Sequence, residues 1–211
     1  MKQLIKKAVS ILALSSAMVG TANAAIIFED NFDTENGGNG QLNYTGFTNW
    51  SVLSGAVDLI GTGTAWDWFA ATNGLYIDLD GSTGTAGLMG HLETLSAGDY
   101  TLSFDLAGNQ RNDAAETTTA NVSIVIGSGT AANTNISLNR MDTFTTYSLD
   151  FSVLTDPSMI MVTFGAAGGD NIGMLLDNVV LQDRVSVPEP AALSLLAIGL
   201  LGVGLSRRKA A

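Results

Sequence analysis

The sequence predicts an all-β fold, a two-sheet sandwich occupying residues 25–186 of the 211-residue chain. Three observations predict it. Several segments alternate apolar and polar residues with period two, which places aromatic and branched side chains on one face of a strand. Pairs rich in Gly, Asn and Asp separate those segments at turn spacing. Between the two ends of the chain, no apolar run keeps the 3.6-residue period of a helix.

The chain begins with a different signal. Lys2, Lys6 and Lys7 precede an apolar stretch over residues 8–20. Thr21-Ala22-Asn23-Ala24 then places small residues at the −3 and −1 positions of a cut after Ala24. A basic start, a short apolar centre and an A-x-A exit define a secretory signal peptide, here residues 1–24.

Strands follow in order. Residues 26–28, 50–53, 57–60, 75–79 and 88–92 are short apolar segments. Tyr100, Leu102, Phe104 and Leu106 alternate with Thr101, Ser103 and Asp105. Tyr147, Leu149, Phe151 and Val153 alternate with Ser148, Asp150 and Ser152, and Ile160, Val162 and Phe164 with Met161 and Thr163. Residues 122–126 and 174–181 are more continuously apolar, as in strands covered on both sides. Turn signals stand between them, among them Asn73-Gly74, Asp80-Gly81 and Gly127-Ser128-Gly129. Nine or ten short strands in about 160 residues make a sandwich, with a jelly roll as its topology. Residues 33–48, 61–72 and 108–119 are the expected end loops.

The C-terminus reverses the layout of the N-terminus. Val187-Pro188-Glu189-Pro190 precedes an uncharged stretch, residues 191–205, and Arg207-Arg208-Lys209 follow. Fifteen helical residues at about 1.5 Å each reach about 22 Å, a thin transmembrane helix with its basic end held in the cytoplasm. These residues resemble the PEP-CTERM sorting signal of Gram-negative bacteria, with Pro188, Glu189 and Pro190 as the motif and Arg207, Arg208 and Lys209 as the basic stop. The resemblance implies an exosortase and the secretion machinery as partners. It also implies a precursor anchored in the inner membrane, and delivery of residues 25–186 to the cell surface or an extracellular matrix. A simple C-terminal anchor is the alternative.

Charge narrows what the body does. Six of the nine basic residues lie in the ends, and nineteen of the twenty acids lie between them. The body keeps Arg111, Arg140 and Arg184 and carries a formal charge of −16. That charge excludes nucleic acid as a partner, since phosphate binding requires basic patches. The absence of cysteine excludes disulfides, thiolate zinc sites and a thiol nucleophile. His91, the single histidine, sits in an apolar stretch and reads as a packed residue rather than a general base.

Two groups of residues remain as candidates. Trp66-Asp67-Trp68 holds two of the three tryptophans, followed by Phe69 and flanked by Gly and Thr. Indole faces stack on the C–H faces of sugars, and a neighbouring carboxylate bonds hydroxyls. The alternative is a buried aromatic plug. The second group rests on a resemblance. Asn31-Phe32-Asp33 and Leu176-Asp177-Asn178-Val179 resemble the bracketing motifs of carbohydrate-binding-module and galactose-binding-like jelly rolls. It implies that Asp33 and Asp177 hold a structural Ca²⁺. By parity, Asp177 lies on one face with Leu175, Val179 and Leu181, where an unpaired carboxylate is costly. Asp78-x-Asp80-Gly81 reads as an Asp-Gly turn.

No G-x-S-x-G, H-E-x-x-H or G-x-x-x-x-G-K-[ST] pattern occurs. The expected function is therefore a non-catalytic, exported β-sandwich of the surface or matrix that binds polysaccharide. A secreted glycan hydrolase and a purely structural or adhesive matrix protein are the alternatives.

Overall fold

A computed structural model describes residues 24–64, 66–69, 74–82, 84–111 and 117–184. The signal peptide, the sorting motif and the transmembrane helix expected from the sequence lie outside the described residues. Residues Ala24–Arg184 form one compact unit. Its only helical element among the described residues is a 3-10 turn, Glu35–Gly37. Among those residues no helix is long and apolar enough to cross a membrane.

The unit is an all-β sandwich of two antiparallel sheets. Its strands are β1 (Ile26–Asp30), β2 (Ser51–Ser54), β3 (Asp58–Gly61), β4 (Leu75–Asp78), β5 (Leu88–Leu95) and β6 (Gly98–Ala107). They continue as β7 (Thr117–Ile126), β8 (Gly129–Asn139), β9 (Thr145–Val153), β10 (Ser158–Ala167) and β11 (Leu175–Asp183). The first sheet runs β3-β4-β11-β6-β9, with β1 also against β11. The second runs β2-β5-β10-β7-β8. The predicted segments all appear, most of them longer. β8 is an addition, and the expected turn at Gly127-Ser128 is the one that joins it to β7 in a hairpin.

Period two explains the core. Leu102, Phe104 and Leu106 of β6 face Ile160, Val162 and Phe164 of β10 across the sandwich, all buried. Phe104 and Phe164 meet edge to face, with centroids 5.1 Å apart. Trp50 packs on Phe164 and Phe32, and its Nε1 donates to Asp30 Oδ2 at 3.1 Å. Tyr44 and Phe47 are buried in the same cluster.

The parity read for β11 changes midway along the strand. β11 pairs with β4 through Leu175 and Leu176, then with β1 from Val179 to Gln182. Between these partners the register with β6 shifts, from Asp177↔Asp105 to Val180↔Ser103, and Asn178 takes a left-handed φ of 48°. Such a bulge reverses which residues face inward. Leu176, Val179 and Leu181 therefore share the main core, while Leu175 joins a second cluster with Ile60, Tyr76 and Ala107. Asp177 does not share a face with Val179 and Leu181.

Candidate functional site

The first sheet carries the chemistry on its outer face. Ile60, Tyr76, Ala107 and Leu175 form an apolar floor there, against which Leu42, Phe69 and Phe144 pack. Phe69 lies 4.7 Å from Phe144 and 5.8 Å from Tyr76, centroid to centroid. The Tyr76 hydroxyl accepts the Trp68 N–H at 2.8 Å and donates to Asp67 Oδ1 at 3.4 Å. Burial pushes the Tyr76 phenol up to about 12, with the negative charge of Asp67 adding to it. Phe69 is thus the plug, and it holds the segment bearing the two tryptophans in place.

Trp66 and Trp68 are not plugs. They are 39% and 38% exposed and line a cavity of about 410 Å³. Leu42, Asp58, Ile60, Ser82, Gln110, Arg111 and Asn171 complete its wall. The Arg111 guanidinium lies over the Trp68 ring, 5.4 Å from its centroid. Arg111 Nη2 also donates to Asp78 Oδ2 at 3.3 Å. Asp67 takes no part in the wall. Its Oδ1 accepts the Phe69 N–H at 3.2 Å as well as the Tyr76 hydroxyl, so it shapes the loop.

Buried aspartates stand in and behind this wall. Asp58 and Asp78 are cross-strand partners in β3 and β4. Asp58 Oδ1 accepts the N–H groups of Asn43 and Ser82, and Oδ2 accepts the Ser82 hydroxyl at 2.7 Å. Asp78 Oδ1 accepts the N–H groups of Asp80 and Gly173. Asp80 Oδ2 accepts those of Gly169 and Asp170. Asp78 and Asp80 therefore do more than make a turn: they pin residues 168–173 between β10 and β11. Burial pushes the Asp78 carboxyl up to about 7, despite its backbone bond and Arg111, with Asp58 adding to the rise.

The second candidate pair lies at the bulge. Asp177 is 3% exposed and accepts its neighbour's N–H, from Asn178, at 2.7 Å. Burial pushes its carboxyl up to about 7, and the negative charges of Asp33, Asp105 and Asp30 reinforce the rise. The structure thus brings Asp33 and Asp177 into one neighbourhood, where β4 ends and β1 begins along β11. Asp33 is already committed: Oδ1 accepts the Leu75 N–H and Oδ2 the Asn31 amide, both at 2.8 Å. Among the described residues no three His, Cys, Asp or Glu side chains are arranged to hold a metal. Ca²⁺ takes six to eight oxygens, so the pair supplies the right donor type but needs backbone oxygens and water to complete a shell. His91 is buried, stacked 3.9 Å from Phe28, with Nδ1 2.8 Å from the Asn49 carbonyl.

Comparison with known proteins separates the sorting end from the body. Residues 186–209 match the PEP-CTERM protein-sorting motif, which takes in Pro188, Glu189, Pro190, Arg207, Arg208 and Lys209. No curated protein matches the chain. Among solved structures, the tandem family-22 carbohydrate-binding domains of a Paenibacillus barcinonensis protein share the fold at TM-score 0.50. Their identity to this chain is 10%, over 81% of it and 52% of the tandem. The C-terminal family-22 carbohydrate-binding module of a Clostridium thermocellum protein aligns at TM-score 0.47 and 14% identity, over 78% of this chain and 96% of the module. The isomalto-dextranase of Arthrobacter globiformis aligns at 0.40 and 18% identity, over 63% of this chain. The chain spans only 21% of that enzyme's length. At such identities the likeness is one of fold.

Proposed function

We propose that this chain is an exported, non-catalytic carbohydrate-binding protein of the cell surface or extracellular matrix, sorted by an exosortase of a Gram-negative bacterium. One observation carries the binding part: two half-exposed indoles, an arginine, a carboxylate and two carboxamides converge on a single cavity. Indole faces take the apolar face of a sugar ring, while Arg111, Gln110 and Asn171 present donors and acceptors for its hydroxyls. The body fold, shared with carbohydrate-binding modules, supports the reading.

A glycan array read with the wild type and Trp66→Ala/Trp68→Ala tests it. Binding by the wild type alone is expected, and binding by neither protein overturns it. Release of reducing ends from a polysaccharide panel would instead favour a hydrolase. The carboxyls at the cavity speak against that chemistry: both Asp58 oxygens and both Asp78 oxygens are held by donors of the protein itself.

The sorting part rests on the motif at 186–209. A chain with Pro188→Ala, Glu189→Ala and Pro190→Ala should accumulate unprocessed, and its arrival at the surface in processed form would refute exosortase recognition. Within the same reading, Asp33 and Asp177 hold a structural Ca²⁺. Calcium should then raise the melting temperature of the wild type and not that of Asp177→Asn. A melting curve indifferent to calcium and to EDTA removes the cation from the account.

A further inference from the structure

β8 is the outermost strand of the second sheet, and it lacks the protection the other edges have. An edge strand offers unpaired backbone N–H and C=O groups to any second strand, and proteins blunt it by shortness, charge, proline or cover. β2 has four residues. β3 also has four, and Gln41 and Tyr44 cover it through backbone bonds to Leu59 and Val57. β9 carries Asp150, paired with Arg184 at 3.2 Å. β1 is five residues long and carries Glu29 and Asp30. β8 runs eleven residues with no charge and no proline. Its one irregularity against β7 falls at Ala131, beside the hairpin turn, and residues 132–139 keep unbroken register. Among the described residues no strand or bridge other than β7 pairs with it.

We propose that β8 is a self-association edge, through which two copies of this chain join their second sheets by antiparallel β8–β8 pairing. Charge selects the occupant and the face. Two bodies of formal charge −16 repel, so they can approach closely only where both are uncharged. The second sheet supplies that place. Its five strands contain only two ionisable side chains, His91 and Glu93, both on β5, which two strands, β10 and β7, separate from β8. The strands of the first sheet carry nine carboxylates.

Self-pairing of one strand about a two-fold axis is isologous and closes as a dimer. Keeping the two outer faces on the same side requires residues of one parity to oppose each other. A seven-residue register of this kind, which avoids Ala131, places Asn135 opposite its own copy. Asn133 then opposes Ser137, Thr134 opposes Ile136 and Ala132 opposes Leu138. The outer row would extend a ladder that already exists on β7–β8. There Asn121 Nδ2 donates to Asn135 Oδ1 at 2.9 Å, and the Thr119 and Ser137 hydroxyls bond at 2.8 Å. The inner row would cover Ala132 and Ile136, which flank the core half-buried. One strand pair is a small interface, so it suits copies held at high local concentration on a surface or in a matrix.

Residues 24–184 contain both apolar clusters whole, which is what independent folding requires, and serve as the test protein. Sedimentation velocity from micromolar to millimolar should show a reversible dimer. Asn133→Glu/Ser137→Glu sets like charges opposite each other twice and should leave monomers. Asn133→Lys/Ser137→Glu sets opposite charges there and should restore the dimer. A wild-type body that stays monomeric at millimolar concentration overturns the proposal, as does a dimer indifferent to these changes. Should the glutamate pair fail to fold, Asn135→Cys decides. The chain has no cysteine of its own, and Cα atoms facing each other across an antiparallel pair lie at about 4.5–5.5 Å, within disulfide reach. Disulfide-linked dimers on oxidation support the pairing, and a thiol that stays monomeric refutes it.

Discussion

The two sheets share one inner logic and differ in everything outside it. Inward, both present the same alternation of Leu, Ile, Val and Phe, and the core does not distinguish them. Outward, the first sheet carries carboxylates, a bulge, an apolar second cluster and the tryptophan cavity. The second sheet carries amides, hydroxyls and thioethers with almost no charge. Burial of alternate residues is enough to build a sandwich, and it leaves the other half of each strand free for other tasks. Here the acidic side of the sandwich has been given the cavity, and the neutral side an edge that no further strand pairs with among the described residues.

The common inner logic is broken most directly at the contact between the sheets. Phe104→Ala and Phe164→Ala each remove a fully buried ring from the same edge-to-face pair. Each should cost about 3–5 kcal/mol by urea denaturation, with the two values alike. A loss confined to one of them would mean that the core leans on one sheet.

The outer difference should show in the pH dependence. Asp78 and Asp177, both on the first sheet, hold their protons up to about 7 in the fold. Unfolded aspartates release theirs near pH 4, so over that window the folded chain binds more protons than the unfolded one. Stability from these groups is therefore greatest at and below the ordinary aspartate range and falls as pH rises toward 7. Between pH 5 and pH 8, in EDTA, the urea midpoint should fall by the equivalent of a few kcal/mol for the pair. Asp78→Asn and Asp177→Asn should each flatten that slope. If calcium binds at Asp177, adding it should flatten the Asp177 part alone, because a cation holds the carboxylate ionised. Equal slopes in the wild type and both variants would remove the asymmetry.

How much of this can be read without the fold differs between the sheets as well. β6, β9 and β10 are plain in the sequence because large apolar residues recur at every second position. β8 is not, because its inward positions are Ala132, Thr134, Ile136 and Leu138 among Asn and Thr, a pattern close to that of a loop. The neutrality that leaves its edge open also hides it. On the first sheet, Trp66 and Trp68 announce themselves as a cluster. Asp58, the Gln110-Arg111 pair and Asn171 do not, since they reach the same cavity from three separate segments and no sequence spacing links those segments. The parity of Asp177 is misread because a bulge adds a residue to one strand, and the only trace of it is Asn178, a residue type that tolerates left-handed φ. Asp67 is adjacent to both tryptophans yet turns away from the cavity, because Tyr76, nine residues on, offers it a hydroxyl.

The smallest expected effect separates the two tryptophans themselves. Trp68 is tied to the fold twice, by its backbone N–H to Tyr76 and by its ring beneath Arg111. Alanine at 68 keeps the first tie and loses the second, a cation–π contact worth about 0.5–1 kcal/mol at a partly exposed site. Alanine at 66 loses a ring that is 39% exposed and stacks on no other aromatic among the described contacts. Surface substitutions of that kind stay within about 0.5 kcal/mol. Trp68→Ala should therefore lower the melting temperature slightly and Trp66→Ala hardly at all, while both weaken glycan binding. If Trp68→Ala weakens binding and Trp66→Ala does not, the ligand reads the Arg111–Trp68 pair rather than a two-indole platform. The reverse pattern makes Arg111 a brace for the loop and Trp66 the surface on which a sugar stacks.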